Sequence, residues 1–472
     1  MEEYVVTLRN KEDLDDFYND METPGGDLYI PDRAVNVELR RQISRNTHYM
    51  LTPEEVIELK NDPRVLGVES KALLDLVVYE LNGYSDTGPF KRNGDSVSAS
   101  DKNWGLYRHV IGANALSGEW GFDGTDAITV ADYTITASGK NVDVLIVDTV
   151  INTTAMNHPE FAVNADGTGG TRFKMFNWFG LNSALGYGVN GTYDYSNDGE
   201  THGIHVAGTA AGNTQGWARD ADIYNIQPFG QNHGAGNVDG ELDKLRYWDY
   251  IRQWHNTKPI NSETGRRNPT ISNHSYGGTI SKNVYISGAS NGYAGYDGIG
   301  QFKYRGVTFD KYGDEGSDLN SAELEARGIN VPADGNWKIM SASLSWGADI
   351  ADAIADGIII VTSAGNTYQK TVKSGDQDYE NYMYFRNGSN TSAFTAPSHR
   401  SSSISEEVAT LNVGCLNIEK NDKKRASSVC GNAVDIFAAG GGIVSSTLTG
   451  SFGGVQDPRN GSYYLSKISG TS

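Results

Sequence analysis

The chain has 472 residues, with 39 Lys and Arg against 59 Asp and Glu, for a formal net charge of −20. Acidity of that size disfavours a nucleic-acid backbone as partner. No run of about 18 apolar residues offers a membrane span, and two cysteines cannot make a disulfide framework. Gly is abundant at 56 residues, which with frequent Asn, Ser and Tyr predicts many surface loops. The length fits one large domain plus a smaller one. Met1-Glu2-Glu3-Tyr4 lacks the basic segment and apolar run of a secretory signal, and the compartment stays open.

Residues 1–80 read as a separate small α/β unit. Glu3 to Leu8 alternate like a strand, Leu14 to Met21 suggest a helix, and Thr47 to Leu51 suggest a second strand. Thr52-Pro53-Glu54-Glu55 supplies an N-cap, a Pro at the first helical position and a Glu three residues after the cap, which is a capping box. Asn61-Asp62-Pro63 ends that helix, and Val65 to Val68 begin another strand. Residues 81–103 are polar and rich in Gly, Ser, Asp and Asn, the composition of an exposed linker.

From residue 104 strands and helices alternate, which predicts a parallel sheet with helices on both faces. Val142 to Val147, Asp222 to Gln227, Thr270 to Ser275 and Ile358 to Thr362 are the predicted strands, the last the clearest buried one. Val238 to Trp254 and Ala342 to Ala355 are predicted helices. Residues 279–340, rich in Gly, Tyr, Asn and Asp, read as a long surface insertion.

Ligands in open α/β sheets sit at the carboxyl ends of the strands. Asp148 ends one predicted strand, Ser275-Tyr276-Gly277-Gly278 another, and Asn366 follows a third. His202 and His205, at i and i+3 in Thr201 to Thr209, admit two local readings, satisfied buried imidazoles or a metal pair on one helix face. An Asp, a His and a Ser in that chain order can make a nucleophilic triad.

Four segments now carry a family resemblance. Val144 to Thr149 with His158-Pro159-Glu160-Phe161 resembles the Asp motif of subtilisin-like serine proteases. His202 to Thr209 is similar to their His motif, Val361 to Asn366 to their oxyanion-hole motif, and Gly470-Thr471-Ser472 to the start of their Ser motif. Val434 to Gly440 and Trp104-Gly105-Leu106 are lesser matches, and residues 1–80 resemble the family's inhibitory, chaperone-like propeptide, most clearly over Tyr49 to Val68. The resemblance implies a three-layer α/β/α parallel-sheet fold over 104–472, preceded by an α+β ferredoxin-like propeptide. It implies a serine endopeptidase made as a self-processed zymogen that cuts itself within about 80–103, monomeric, acting on polypeptides. Ser472 would be the nucleophile, His202 the base, Asp148 its orienting carboxylate and Asn366 the oxyanion donor. Ser275, Tyr276, Gly277 and Gly278, with Ala364 and Gly365, would line the substrate, bound by strand addition. His205 is then structural, with no metal role.

Some positions depart from the pattern. Val150 stands where the family has Gly, which predicts a local rearrangement, and Ile204 stands where it has Thr. The chain ends at Ser472, where the family continues into a helix. A terminal carboxylate ~4 Å from the developing oxyanion would cost ~4 kcal/mol at an effective dielectric of 20. The chain is therefore expected to be a poor catalyst and a piece of a longer protein. The alternative is an inactive structural or binding protein of the same fold. No cofactor is called for. Calcium is common in the family, but Ala210 to Trp217 leaves little room for its calcium loop. A hairpin turning at Asp422-Lys423 would set Cys415 opposite Cys430, and a disulfide and two free thiols are both open.

Overall fold

The computed structural model describes residues 1–30, 37–70, 76–78, 82–83, 105–106, 109, 137–196, 201–228, 246–282, 298–310, 321–329, 337–340, 344–387, 390–400, 409–417 and 423–472. The N-terminal unit comprises β1 (Glu2–Leu8), α1 (Leu14–Glu22), β2 (Val37–Leu39), β3 (Asn46–Leu51), α2 (Pro53–Lys60) and β4 (Val65–Ser70). Its strands form one antiparallel sheet in the order β2-β3-β1-β4. The predicted capping box is formed: Glu55 N donates to Thr52 Oγ1, and Thr52 N donates to the Glu55 carboxylate. Val6, Leu8, Phe17, Met21, Tyr49, Leu51 and Leu59 close a separate small core.

Two short strands follow, β5 (Leu76–Val78) and β6 (Asn82–Gly83). The predicted linker 81–103 lies outside the described residues apart from Asn82 and Gly83, and those two are paired in a sheet.

The larger unit is built on β7 (Asp143–Val147). Every residue of β7 is buried, as its continuous apolar run requires of a strand covered on both faces. Next come the one-turn helices α3 (Thr153–Met156) and α4 (Asn182–Leu185), then α5 (Thr201–Ala211), β8 (Asp222–Ile226), α6 (Arg246–Thr257), β9 (Thr270–His274) and β10 (Tyr276–Lys282). Then follow β11 (Gly298–Tyr304), β12 (Val307–Asp310), α7 (Ser321–Glu325), β13 (Trp337–Met340), α8 (Leu344–Ala355) and β14 (Ile359–Ser363). The chain continues with β15 (Tyr382–Asn387), β16 (Asn390–Pro397), β17 (Leu411–Leu416), β18 (Ile436–Ala439), β19 (Ile443–Thr447), β20 (Val455–Asp457) and β21 (Asn460–Ser469). A six-stranded parallel sheet runs β18-β17-β14-β9-β7-β8. The α/β class is therefore as expected.

Several expectations are corrected. β14 is not the most buried strand: Ile359 is 54% exposed, whereas β7 is buried throughout. The segment 279–340 is more than surface loop. Parts of it form β10, β11, β12 and β13, and β12-β11-β15-β16 make a separate antiparallel sheet. The first half of the predicted helix 238–254 lies outside the described residues, and the second half is α6. Cys415 does not face Cys430: Arg425 N donates to the Cys415 carbonyl, and Leu416 bridges Lys424. Both thiols are free, and burial pushes the Cys415 thiol up to about 12.

The N-terminal sheet packs on α8, and the segment between β2 and β3 reaches α6. Arg41, fully buried, donates to both Asp249 oxygens (2.8 and 3.0 Å) and to Asp349 (2.9 Å). Ser44 and Asn46 also donate to Asp349 (2.6 and 3.0 Å). Glu69 accepts from the first amides of α8, Leu344 N (2.8 Å) and Ser345 N (3.1 Å), and so caps that helix from the neighbouring unit.

Candidate active site

Asp148 follows β7 directly, at the carboxyl edge of the parallel sheet. Its Oδ1 accepts from Thr149 N (2.7 Å) and lies 2.6 Å from His202 Nδ1. Both side chains are buried. His202 is the second residue of α5, and the approach of that helix to β7 depends on Gly203. A Cβ there would lie 2.6 Å from the Thr149 carbonyl oxygen. The Gly203 amide instead donates to Thr149 Oγ1 (2.9 Å), tying the first turn of the helix to the residue after Asp148. Val150 is buried, and it is not among the described residues with left-handed backbone. The Gly-to-Val departure is thus met without a strained turn.

His205 points to the other side. Its Nε2 lies 3.1 Å from the Ile443 carbonyl oxygen and 3.3 Å from that of Ser466, and it is buried. Desolvation lowers its pKa to about 4. It therefore bonds α5 to β19 and β21 as a neutral ring. Among the described residues no three of His, Cys, Asp and Glu converge as metal ligands.

Gly365 has a φ of 106°, a left-handed turn that glycine tolerates, and the chain turns there from β14 to present Asn366. Asn366 Oδ1 accepts from Thr471 N (3.1 Å) and Thr471 Oγ1 (3.2 Å), while Thr471 Oγ1 also accepts from Gly365 N (3.1 Å). With its oxygen engaged, Asn366 has its Nδ2 donor left for an incoming oxygen. Ala364 is buried, and its amide is tied to the Val413 carbonyl (2.8 Å).

Ser472 follows β21 and is exposed. Its Oγ donates to the Ser275 carbonyl oxygen (3.1 Å). His202 Nε2 is buried without a hydrogen-bond partner, so the Asp–His pair is formed and the Ser–His link is not. A cavity of about 210 Å³ reaches Ser472 and Thr471, with Asn273, Val361 and Val413 among its walls. His202 and Asn366 are not among its lining residues.

Ser275 joins β9 to β10. β10 pairs antiparallel with β5, Tyr276 opposite Val78, Gly277 opposite Val77 and Gly278 opposite Leu76. The chain's own residues 76–78 thus occupy the edge that the resemblance assigns to substrate. Sequence reading did not find the relay beneath that edge. His274 Nδ1 lies 2.7 Å from Tyr276 Oη, which donates to Tyr247 Oη (2.7 Å), and Ser272 Oγ lies 2.8 Å from His274 Nε2. Burial lowers the His274 pKa to about 3. The alternation Ser272-His274-Tyr276 on one strand face was the available signal.

Residues 139–472 match the model of peptidase S8, described as the subtilase family. A curated relative, alkaline serine exoprotease A of Vibrio alginolyticus, is 24% identical over 195 residues, 41% of this chain and 27% of that protein. The chain thus spans about a quarter of that relative's length. Among solved structures, fervidolysin from Fervidobacterium pennivorans, a keratinolytic enzyme related to subtilisin, has a TM-score of 0.46 at 15% identity, covering 100% of this chain and 52% of that one. The epidermin leader peptide processing serine protease of Staphylococcus aureus has a TM-score of 0.44 at 14% identity, covering 100% and 84%. The family match takes in Asp148, His202, Asn366 and Ser472 together, and the chain belongs to the subtilase family of serine peptidases.

Proposed function

We propose that the protein is a serine endopeptidase working through Asp148, His202 and Ser472, synthesised as a zymogen whose N-terminal unit occupies its own substrate edge. The observation that carries this is the buried 2.6 Å Asp148–His202 pair at the edge where Ser472 and Asn366 also arrive. Asp148 holds the proton on His202 Nδ1, which leaves Nε2 as the base. In this reading Ser472 gives up the Ser275 carbonyl and offers its hydroxyl to that nitrogen. Ser472 Oγ then attacks a peptide carbonyl, His202 passes the proton to the leaving amine, and Asn366 Nδ2 stabilises the oxyanion. One such donor contributes ~3–4 kcal/mol to the transition state in the subtilisin example. The edge Ser275 to Gly278 reads backbone, which suits a polypeptide of varied sequence. The buried Arg41 contact and the β5 pairing support an inhibitory role for the N-terminal unit.

A non-catalytic, peptide-binding role is the second reading, favoured by the hydrogen bond from Ser472 to Ser275. A fluorophosphonate probe applied to the full-length protein separates the two. Catalysis requires labelling that is lost in Ser472→Ala and in His202→Ala. A folded, unlabelled wild-type protein that still binds peptide establishes the second reading.

A further inference from the structure

The segment 210–217, which follows the helix bearing His202, is where the resemblance would put a calcium loop. Calcium takes about six to eight oxygen ligands. Here the loop turns its donors inward instead. Thr214 N and Gln215 N both donate to Glu160 Oε2 (2.9 Å each), and Thr214 Oγ1 donates to Glu160 Oε1. Asn213 Nδ2 donates to the carbonyls of Pro159 (2.8 Å), Ala162 (3.1 Å) and Asn164 (3.0 Å). The loop's first carbonyls are already engaged. Ala210 O accepts from Ala218 N (3.0 Å), Ala211 O from Arg172 Nη2 (2.5 Å) and Gly212 O from Gly216 N (3.0 Å). The group enclosed is an anion, the fully buried Glu160 carboxylate. Gly212 permits the approach, since a Cβ there would lie 2.4 Å from Glu160 Oε2. Donors gathered around a carboxylate are the wrong set for a metal ion, so these residues do not fit calcium.

Two guanidiniums answer the charge. Arg459, in the turn between β20 and β21, donates from Nη2 to Glu160 Oε1 (2.5 Å) and from Nη1 to Asn213 Oδ1 (2.7 Å). Its Nε and Nη2 also make a two-pronged contact with Asp457 (2.8 and 2.6 Å), which is buried. Arg172 closes the other side, donating to the carbonyls of Glu160 (3.0 Å) and Ala221 (3.1 Å) as well as Ala211. Two buried carboxylates thus meet two guanidiniums, and buried charge is tolerated when it is paired in this way. The planar fork of Arg459 reaches both carboxylates and the Asn213 oxygen at once, which a single ammonium point charge does not match.

We infer that Arg459 is the resident cation of this loop: a socket of Glu160, Asp457 and Asn213 holds its guanidinium in place of a divalent metal and locks the β20–β21 turn to the end of α5. The lock has a consequence at the site. β21 leads to Ser472 and α5 carries His202, so the elements bearing both groups are clamped by a cation that cannot dissociate. A second tie runs beside it, from His158 Nε2 to the Tyr464 carbonyl oxygen on β21 (2.9 Å). The inference holds for an active peptidase and for an inactive protein of the same fold.

Thermal melts of the full-length wild type, Arg459→Ala and Glu160→Gln, each in calcium and in EGTA, test this. Arg459→Ala should lower the midpoint by several degrees, with millimolar guanidinium chloride recovering part of the fall and calcium recovering none. Any calcium-dependent shift of the wild type should persist in Glu160→Gln. Amide exchange of the wild-type protein needs no variant to fold: protection of residues 210–217 should be the same in calcium and in EGTA. A calcium shift that Glu160→Gln abolishes, or calcium-dependent protection of 210–217, puts a metal in the loop and overturns the inference. It also fails if Arg459→Ala melts with the wild type, or if its fall is recovered by calcium alone or by neither ion. Labelling of Ser472 plays no part in these readouts, so the protease reading stands or falls separately.

Discussion

Asp148 Oδ1 is shared between the Thr149 amide and His202 Nδ1, so one carboxylate oxygen fixes both the strand end and the imidazole tautomer. Asp148→Asn keeps the shape and can present an NH₂ to Nδ1, which moves the ring proton to Nε2 and removes the base. In serine proteases this exchange lowers kcat by ~10⁴. The same fall is expected here, with KM and thermal midpoint little changed, and steady-state kinetics beside circular dichroism melts would check it. A kcat within tenfold of wild type would sink the triad assignment. His205 governs a different property. Its pKa is about 4 in the fold against an ordinary 6.5, so the unfolded chain binds its proton first as pH falls. Its contribution is fully present above pH 6.5 and is lost between pH 6.5 and 4, at ~1.4 kcal/mol per pH unit, or ~3 kcal/mol in all. His274, with a pKa of about 3, extends the loss to lower pH. Urea midpoints measured from pH 7.5 to 4 should fall steeply below 6.5 in the wild type. His205→Gln, weaker at neutral pH, should show a shallower slope; an equal slope in both would refute the assignment.

At the element scale, the site depends on how closely α5 meets the end of β7. Gly203→Ala places a methyl 2.6 Å from the Thr149 carbonyl oxygen, a backbone atom that cannot swing away. The helix must shift, and His202, its neighbour, shifts with it. We expect ~1–3 kcal/mol of destabilisation and a drop in kcat/KM larger than stability alone explains, read by activity assays well below the melting point. Full activity in the variant would show that the helix has slack. β7, α5 and the Asp148–His202 pair they bring together were legible in the sequence because a continuous apolar run and a small-residue helix start are local signals. The antiparallel β11–β12 hairpin was not. Its turn is Arg305-Gly306, with φ values of 49° and 83°, a two-residue left-handed turn without the usual Asn-Gly or Asp-Gly signal. Its register shows only after Phe302 is seen buried and β15 and β16 complete the sheet. The β10–β5 pairing joins residues about 200 positions apart, and no local pattern announces it.

At the scale of the whole molecule, the buried Arg41 joins the two units. Arg41 makes a two-pronged contact with Asp249 on α6 and a third bond to Asp349 on α8. Asp249 also accepts from Tyr187, and Asp349 from Ser44 and Asn46. Burial pushes the Asp349 carboxyl up, Arg41 opposes that, and Asp249 adds to it. The socket therefore holds two carboxylates for one guanidinium, and its charges are tolerable only while Arg41 fills it. Such a cluster says little about net stability, since well-packed apolar replacements are often neutral or better. Removing one partner is different, because it strands the other charges away from water at a cost of ~3–5 kcal/mol. Arg41→Met should accordingly loosen the N-terminal sheet from α6 and α8. Limited proteolysis should cut within residues 1–70 faster, and the thermal transition should fall or split in two. Loss of packing alone predicts a similar fall, so a second variant is needed. Arg41→Met combined with Asp249→Leu and Asp349→Leu removes the stranded carboxylates and should recover most of the loss. The recovery, a coupling of at least ~2 kcal/mol between the sites, distinguishes a charge-matched latch from a merely crowded interface. If the triple variant is as weak as Arg41→Met, or if Arg41→Met itself shifts stability by less than ~1 kcal/mol, the two units are held by their apolar contacts and the socket is incidental.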